Sequence, residues 1–392
     1  MVLSFIRLVL FALLFLALQS NFAQDSELTD AELEKQIAEM EQEIEKELML
    51  EYSPWDFSAN VRLGGGYKEN VTMSAFTEES SEFSLLGFDF MGIRIPMDDS
   101  GYEVAIFGAF DDRRYFDAPS VDFEQSGLVN AGIKKELSDN WTFETDLRLI
   151  YIDEMFDASL TEDDIGTVQV VGRQISLEPV MRRRLIGDSW FEVQSEISRQ
   201  YFAEPLDDYL ELGGRVSIGI DYGFRSKLFI YGEKIHRKYD ARSQRDEIGF
   251  YIPGTDLIYD RPERGVEWTH YWDSDRKFRM RTRFSILDNQ DNGEGYFDYR
   301  RERFSHNWRY EFSNFNLSAT LQEASYDYEF QRSSDFISLR RRTDRSFDLS
   351  IGYEHNDQLS IQLGFEQEII QSNVPQDEYR YRVYTVGLDL EF

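Results

Sequence analysis

From Trp55 onward the chain is a succession of short runs in which apolar and polar residues alternate, and the breaks between the runs are in turn tight and long. Trp55–Tyr67 places Trp55, Phe57, Ala59, Val61 and Leu63 on one side and Asp56, Ser58, Asn60 and Arg62 on the other, the period of two that marks a strand with one apolar face. The same alternation recurs at Trp141–Tyr151, Phe191–Tyr201, Gly214–Tyr222, Phe278–Ile286, Phe315–Leu321, Phe347–Tyr353 and Leu359–Phe365. About sixteen runs can be counted. Those at Phe83–Ile95 and Val168–Leu185 alternate poorly, so fourteen and eighteen also fit. Pro96–Gly101, Ser138–Asn140, Ile186–Ser189, Gly223–Ser226, Ser274–Arg276, Ser313–Asn314 and His355–Asp357 read as tight turns. The longer breaks are Lys68–Ser81, Phe156–Thr167, Asp240–Glu263, Asp288–Gly295, Gln331–Ser338 and Gln371–Glu378. Tight turns at one rim and loops at the other are what an up-and-down barrel produces. The expected fold is therefore all-β, a closed antiparallel barrel of about sixteen strands. A β-sandwich, the alternative, would bury the apolar face of both its sheets and would need neither a signal peptide nor a terminal aromatic strand.

The last stretch, Tyr384–Phe392, sets Tyr384, Val386, Leu388, Leu390 and Phe392 on one face and Thr385, Gly387, Asp389 and Glu391 on the other. A strand of this pattern that closes a chain on an aromatic residue resembles the terminal strand of bacterial outer-membrane β-barrels. The resemblance implies lipid outside the barrel, water inside, export from the cytoplasm, and reading of this strand by the outer-membrane protein insertion machinery.

The N-terminal region agrees with export. Arg7 precedes an apolar run, Leu8–Leu18, that is too short to span a bilayer as a helix, and Ala23 follows among polar residues. This is the layout of a signal peptide over residues 1–23. Residues 24–52 form a separate acidic piece: Asp25–Glu51 carries eleven acidic residues and two lysines, with Leu33, Ile37, Met40, Ile44 and Leu48 at helical spacing. It reads as an amphipathic, coiled-coil-like periplasmic helix preceding a barrel over residues 53–392. Its open alternatives are a solvated helix, a contact with a periplasmic protein, and association of subunits.

Composition narrows the function classes. A mean hydropathy of -0.51, with no second long apolar segment, excludes a helical membrane protein. With no cysteine, disulfides and thiolate metal sites are excluded, and no cofactor or metal is expected. The net charge of -32 argues against nucleic acid as a partner. The 22 tyrosines and 31 phenylalanines against 8 prolines suit extended strands with aromatic girdles.

A barrel this wide cannot fill its interior with side chains, so the inward faces become the functional surface. Taking the apolar side of each strand as the lipid side turns Arg279, Arg281, Arg283, Arg301, Arg303, Arg340 and Arg342 inward on one wall. Glu144, Asp146, Glu192, Glu196, Glu211 and Asp221 point inward on another. Opposed basic and acidic walls set up a transverse field, an arrangement that resembles the eyelet of sixteen-stranded general porins. Those proteins narrow the pore with a long third loop. Here the corresponding Phe156–Thr167 reads as too short to reach far inside, and the longest connection is the apolar fifth, Asp240–Glu263.

Catalysis has little support, because His236, His270, His306 and His355 are scattered and His270 lies between Trp268 and Trp272 as an interfacial residue would. The leading expectation is a passive or weakly selective outer-membrane channel for small hydrophilic solutes. The alternative is an envelope protein whose barrel anchors a partner-binding helix.

Overall fold

The computed structural model describes residues 55–95, 101–159 and 166–392. The leader and the acidic helix expected over residues 1–52, most of the Pro96–Gly101 turn and the middle of Phe156–Thr167 lie outside the described residues.

Among the described residues nearly every element is a strand. The first half comprises β1 (Trp55–Glu69), β2 (Ser81–Arg94), β3 (Tyr102–Tyr115), β4 (Phe123–Ser138), β5 (Trp141–Asp157), β6 (Thr167–Arg184), β7 (Ser189–Phe202) and β8 (Tyr209–Tyr222). The second comprises β9 (Ser226–Tyr239), β10 (Ile258–Tyr271), β11 (Phe278–Asp291), β12 (Tyr299–Phe312), β13 (Phe315–Arg332), β14 (Leu339–Asn356), β15 (Leu359–Ser372) and β16 (Tyr379–Glu391). Each strand pairs antiparallel with its sequence neighbours, and β16 pairs with β1, so the sheet is a closed barrel of sixteen strands. At the seam Leu63 lies opposite Leu388, and the amides of Ala59 and Phe392 each donate to the other's carbonyl. Closure leaves no strand edge unpaired.

Alternation along each strand sends apolar side chains out and polar ones in. All sixteen strands contribute an exposed apolar residue to the outer face: Leu63, Phe88, Phe110, Val129, Leu149, Ile175, Ile197 and Val216 in the first half, Ile230, Val266, Phe284, Phe304, Leu321, Ile351, Leu363 and Val386 in the second. Two runs that alternate poorly are strands all the same. On β2 the register places Met91 opposite Phe107 and, two positions earlier, Asp89 inward beside Arg62, so Met91 and Ile93 are apolar residues facing the lumen. On β6 the first residues, Val168 and Val170, leave the wall altogether.

The turn and loop chemistry follows local hydrogen bonding. In the turn after β10 the Asp273 carboxylate accepts the amides of Lys277 and Phe278, which hold it below the usual carboxylate range. In the loop after β11, Asp291 accepts the amides of Gly293, Gly295 and Phe297. The fifth loop, 240–257, packs by its base rather than standing free: Leu257 and Tyr259 are buried with Tyr239 and Phe297 of the neighbouring loop. Its tip leaves Ile248, Phe250 and Tyr251 exposed.

Candidate functional site: the constricted lumen

The lumen is narrowed by the β5–β6 hairpin. Pairing of β4 with β5 ends at Gln125 and Asp153, and pairing of β6 with β7 ends at Gly172 and Phe202. Beyond those points β5 and β6 pair only with each other, from Glu154–Val170 to Asp157–Thr167. The result is a two-stranded tongue without wall partners on either side. Met155 on it packs against the inward residues Met73, Ile370 and Tyr379. Just past its end, Arg342 of β14 meets Asp157 at 2.7 Å and donates to Ser159 Oγ at 2.6 Å, while Arg340 donates to the Ser159 carbonyl at 2.8 Å. Tyr379 of β16 also donates to Asp157, at 3.3 Å. Since β5 and β14 lie nearly opposite in the ring, the hairpin spans the lumen. The third connection therefore does reach inside. Its length was counted as loop residues alone, whereas the reach comes from strand residues that project past their neighbours.

On one side of the tongue the space is filled. Lys68 of β1 meets Glu124 of β4 at 2.8 Å, and Tyr115 donates to the same carboxylate at 2.5 Å. Phe83, Tyr115, Val121 and Val383 pack beside them. On the other side, between the tongue and β8–β13, a recess of about 200 Å³ remains, lined by Phe156, Asp157, Asp207, Tyr209, Arg261 and Arg301 among others.

The arginines of β11 face the lumen, each with a partner. Arg283 donates to Glu263 and to Tyr231, both at 2.9 Å. Arg281 forms a two-pronged bond with Glu267 at 2.8 and 3.0 Å, and Arg279 donates to Asn307 at 3.2 Å. Gly265 makes this cluster fit, since a Cβ there would sit 2.6 Å from the Tyr231 ring. On β12, Arg301 shares Glu263 at 2.8 Å and Arg303 donates to Gln322 of β13. Arg340 and Arg342 are 5% and 2% exposed, spent on the tongue and on Asp377 and Asp344 rather than on water.

The acidic residues read from the sequence divide in the same way. Glu192 is matched by Arg182 at 2.8 Å, Glu211 by Arg237 at 2.8 Å and Arg261 at 3.4 Å, and Asp221 accepts the Trp190 ring N–H. Asp146 accepts from Asn130, Glu144 is exposed, and Glu196 is half-buried. A second acidic wall lies where the sequence reading did not put one. Asp111, Asp348, Glu366 and Asp389 line a groove on β13–β16 and β1–β3, and Arg62 bridges Asp89, Asp111 and Asp389 at 3.1–3.3 Å. In the ring it runs on from the arginines of β9–β12, beginning at the adjacent β13 and reaching β3, opposite β11. Parity on β2, β3 and β16 would have revealed it; on β10 the long apolar loop obscured the strand start and hid Glu263 as an inward residue.

The histidines assemble no catalytic group among the described residues. His270 stacks on Trp268 and lies edge-on to Trp272, with ring centroids 5.6 and 4.6 Å away. Its neighbour Ser226, 3.2 Å from Nδ1, is fully buried and already accepts the Tyr271 amide. Among the described residues no cluster of His, Asp and Glu could hold a metal ion.

No protein-family model matches the chain, and no curated protein matches it. Among solved structures, Pseudomonas aeruginosa OccK9 is similar with a TM-score of 0.47 at 9% identity, covering 86% of this chain and 98% of that one. Acinetobacter baumannii OccAB4 gives 0.45 at 9% identity over 87% and 99% of the two chains. An anion-selective porin from Comamonas acidovorans gives 0.42 at 9% identity over 86% and 100%. Likeness at this level leaves the site to be read from the chain's own residues.

Proposed function

We propose that the protein is a bacterial outer-membrane channel, porin-like, through which small hydrophilic solutes diffuse passively with weak selectivity. The observation that carries this is the pairing of an apolar band on all sixteen strands with a lumen of charged and hydroxylated side chains. A continuous exposed apolar surface of that extent is foreign to soluble monomers and calls for lipid around it. The ring is too wide for side chains alone to close it, and beside the tongue, packed on one flank, a recess stays open on the other. The outward aromatic pairs near the tight turns, Trp268, Trp272 and Phe278 with Tyr310, suit a membrane interface. In this reading the tight turns lie at the periplasmic rim and the loops outside. The arginines of β11 and β12 line the passage, the terminal face Tyr384–Phe392 is read by the insertion machinery, and residues 25–51 serve a periplasmic contact or self-association. The chemistry is transport, not catalysis.

Single-channel recording of the purified full-length chain in a planar bilayer tests the reading. Discrete ohmic steps are expected. A barrel that inserts, as judged by protection of its strands from protease, yet never conducts would overturn the channel and leave the anchor of a periplasmic helix in its place.

A further inference from the structure

The recess between the tongue and β8–β13 holds chemistry that a merely wet passage does not need. One wall is a run of aromatic rings in mutual contact: Phe202 against Tyr209, Tyr209 edge-on to Tyr239, and Tyr239 edge-on to Tyr259, at centroid separations of 6.1, 5.4 and 5.5 Å. Arg237, itself in the lining, lies 4.1 Å over the Tyr209 ring and fixes it. Tyr239 and Tyr259 are each 3% exposed and hold the wall from beneath before any solute arrives, while the half-buried rings of Tyr209 and, on β12, Tyr299 are the ones that meet the recess. Facing it are donors and acceptors in roughly equal supply. A guanidinium carries five N–H groups, and Arg261 and Arg301 spend only part of theirs on Glu211 and Glu263. Asp207, half-buried, has no ion pair among the described residues, and the Asn289 side chain uses its amide nitrogen on the Phe297 carbonyl and keeps its oxygen. With partners counted, charge is balanced around the recess: Arg237 and Arg261 share Glu211, Arg301 and Arg283 share Glu263, Arg342 bonds Asp157 and Asp344, and Asp207 stands without a cation among the described residues.

We propose that this recess is a binding site for one neutral, polyhydroxylated sugar ring entering from the loop end, an inference that rests on the channel reading and names its solute class. A pyranose presents C–H faces, which pack on aromatic rings, and a rim of hydroxyls, each of which donates and accepts. The recess offers both in the matching places. An aromatic carboxylate would find the rings but no net positive charge, and an inorganic ion would gain nothing from the rings. The volume of about 200 Å³ is that of about seven waters at roughly 30 Å³ each, a space that a single hexose would fill.

The test uses the full-length protein in two measurements. In planar bilayers, glucose added at the loop side should interrupt the ion current in a concentration-dependent way, and benzoate should not. Calorimetry of glucose against the detergent-solubilised protein reports the same site without requiring conduction. Asp207→Ala and Tyr299→Ala should each raise the half-saturating glucose concentration about fivefold, the effect of one lost hydrogen bond or stacking contact. Tyr299→Phe should behave as the unsubstituted protein if the ring face is what matters. Conduction without glucose block or heat overturns the sugar site and leaves the channel standing. Block by benzoate in place of glucose overturns it in favour of an anion site, and glucose binding unaffected by both alanine variants places the sugar elsewhere. Glucose heat that is lost in the variants, from a protein that does not conduct, upholds the site while the channel reading fails.

Discussion

Arg342 on β14 and Asp157 at the end of β5 meet at 2.7 Å across the lumen, joining nearly opposite walls of the barrel. Arg342 also bonds Asp344 and Ser159, so one guanidinium at 2% exposure satisfies two carboxylates and a hydroxyl. Replacing it by Gln leaves both carboxylates half-buried without a cation, a change that costs about 3–5 kcal/mol when such a pair is broken. The tongue is the piece that can yield, because its strands have no backbone pairing with the wall and are held there by side chains. Arg342→Gln is expected to increase single-channel conductance and add open-channel noise. Unaltered conductance and noise would mean that the tongue holds its place without the bond.

A pH effect is expected in the loop after β11. Burial raises the Asp298 carboxyl from 3.8 to about 6, with the nearby Asp291 charge adding to the rise, while the Asp291 amide, which donates to it, opposes it. A group with a raised native pKa stabilises the loop least once it must ionise. Loop order should therefore be highest at pH below 4 and fall as pH rises through 4 to 6, then level off. Asp298→Asn keeps an accepting oxygen and should remove the dependence. Hydrogen exchange of residues 292–298, corrected for intrinsic rates, measures it, and a wild-type loop whose protection is flat over that range would refute it.

The wall of the barrel was legible in the sequence because a strand between lipid and water must alternate, and residues such as Leu63 beside Arg62 declare their sides. Parity on β11 likewise fixed Arg279, Arg281 and Arg283 together. The tongue was not legible: apolar residues pack on both of its faces, Val170 buried and Met155, Phe156 and Val168 partly so, and period two fades where the hairpin leaves the wall. Nor were the partnerships. Whether Arg283 is free or bound to Glu263 depends on which β10 residue stands opposite it, and register is a property of two strands at once.

Lys68 and Glu124 test how the packed side of the lumen is held. They are 5% and 8% exposed, and Tyr115 adds its hydroxyl to the same carboxylate. Lys68→Met leaves the buried Glu124 carboxylate with only Arg113, 3.9 Å away, as a cation and should destabilise the barrel by less than the roughly 3–5 kcal/mol of a fully broken buried pair. The double variant Lys68→Met/Glu124→Gln removes both charges and should regain most of that loss. Urea titration of the protein in bilayers, followed by tryptophan fluorescence, separates the two; equal midpoints for the single and double variants would show that the pair is not what holds this region.

The backbone and the side chain of Phe392 can be tested apart. Its backbone completes the seam with Ala59, at 2.8 and 3.3 Å, while its ring is 77% exposed. Deleting Phe392 removes both; Phe392→Ala removes only the ring. If the insertion machinery reads the aromatic side chain, the two variants should lower folded protein in the outer membrane alike. Normal levels for Phe392→Ala with reduced levels for the deletion would assign the whole effect to the seam.

Arg279, Arg281 and Arg283 face the lumen, and their partners set how much charge they can lend to it. Arg281 and Arg283 are matched by Glu267 and Glu263, so the wall as it stands is less positive than three arginines alone would make it. Weak selectivity is the expected result. Changing Arg279, Arg281 and Arg283 together to Gln leaves those two carboxylates in the wall, 8% exposed and without these cations, in the same lumen as the acidic groove of Asp111, Asp348 and Asp389. The reversal potential in a salt gradient should therefore move strongly toward cations, most at low salt where the Debye length exceeds the roughly 8 Å of physiological ionic strength. Adding Glu263→Gln and Glu267→Gln to the triple variant should return the potential partway. A triple variant with the selectivity of the unsubstituted channel at low salt would show that ions pass elsewhere in the lumen.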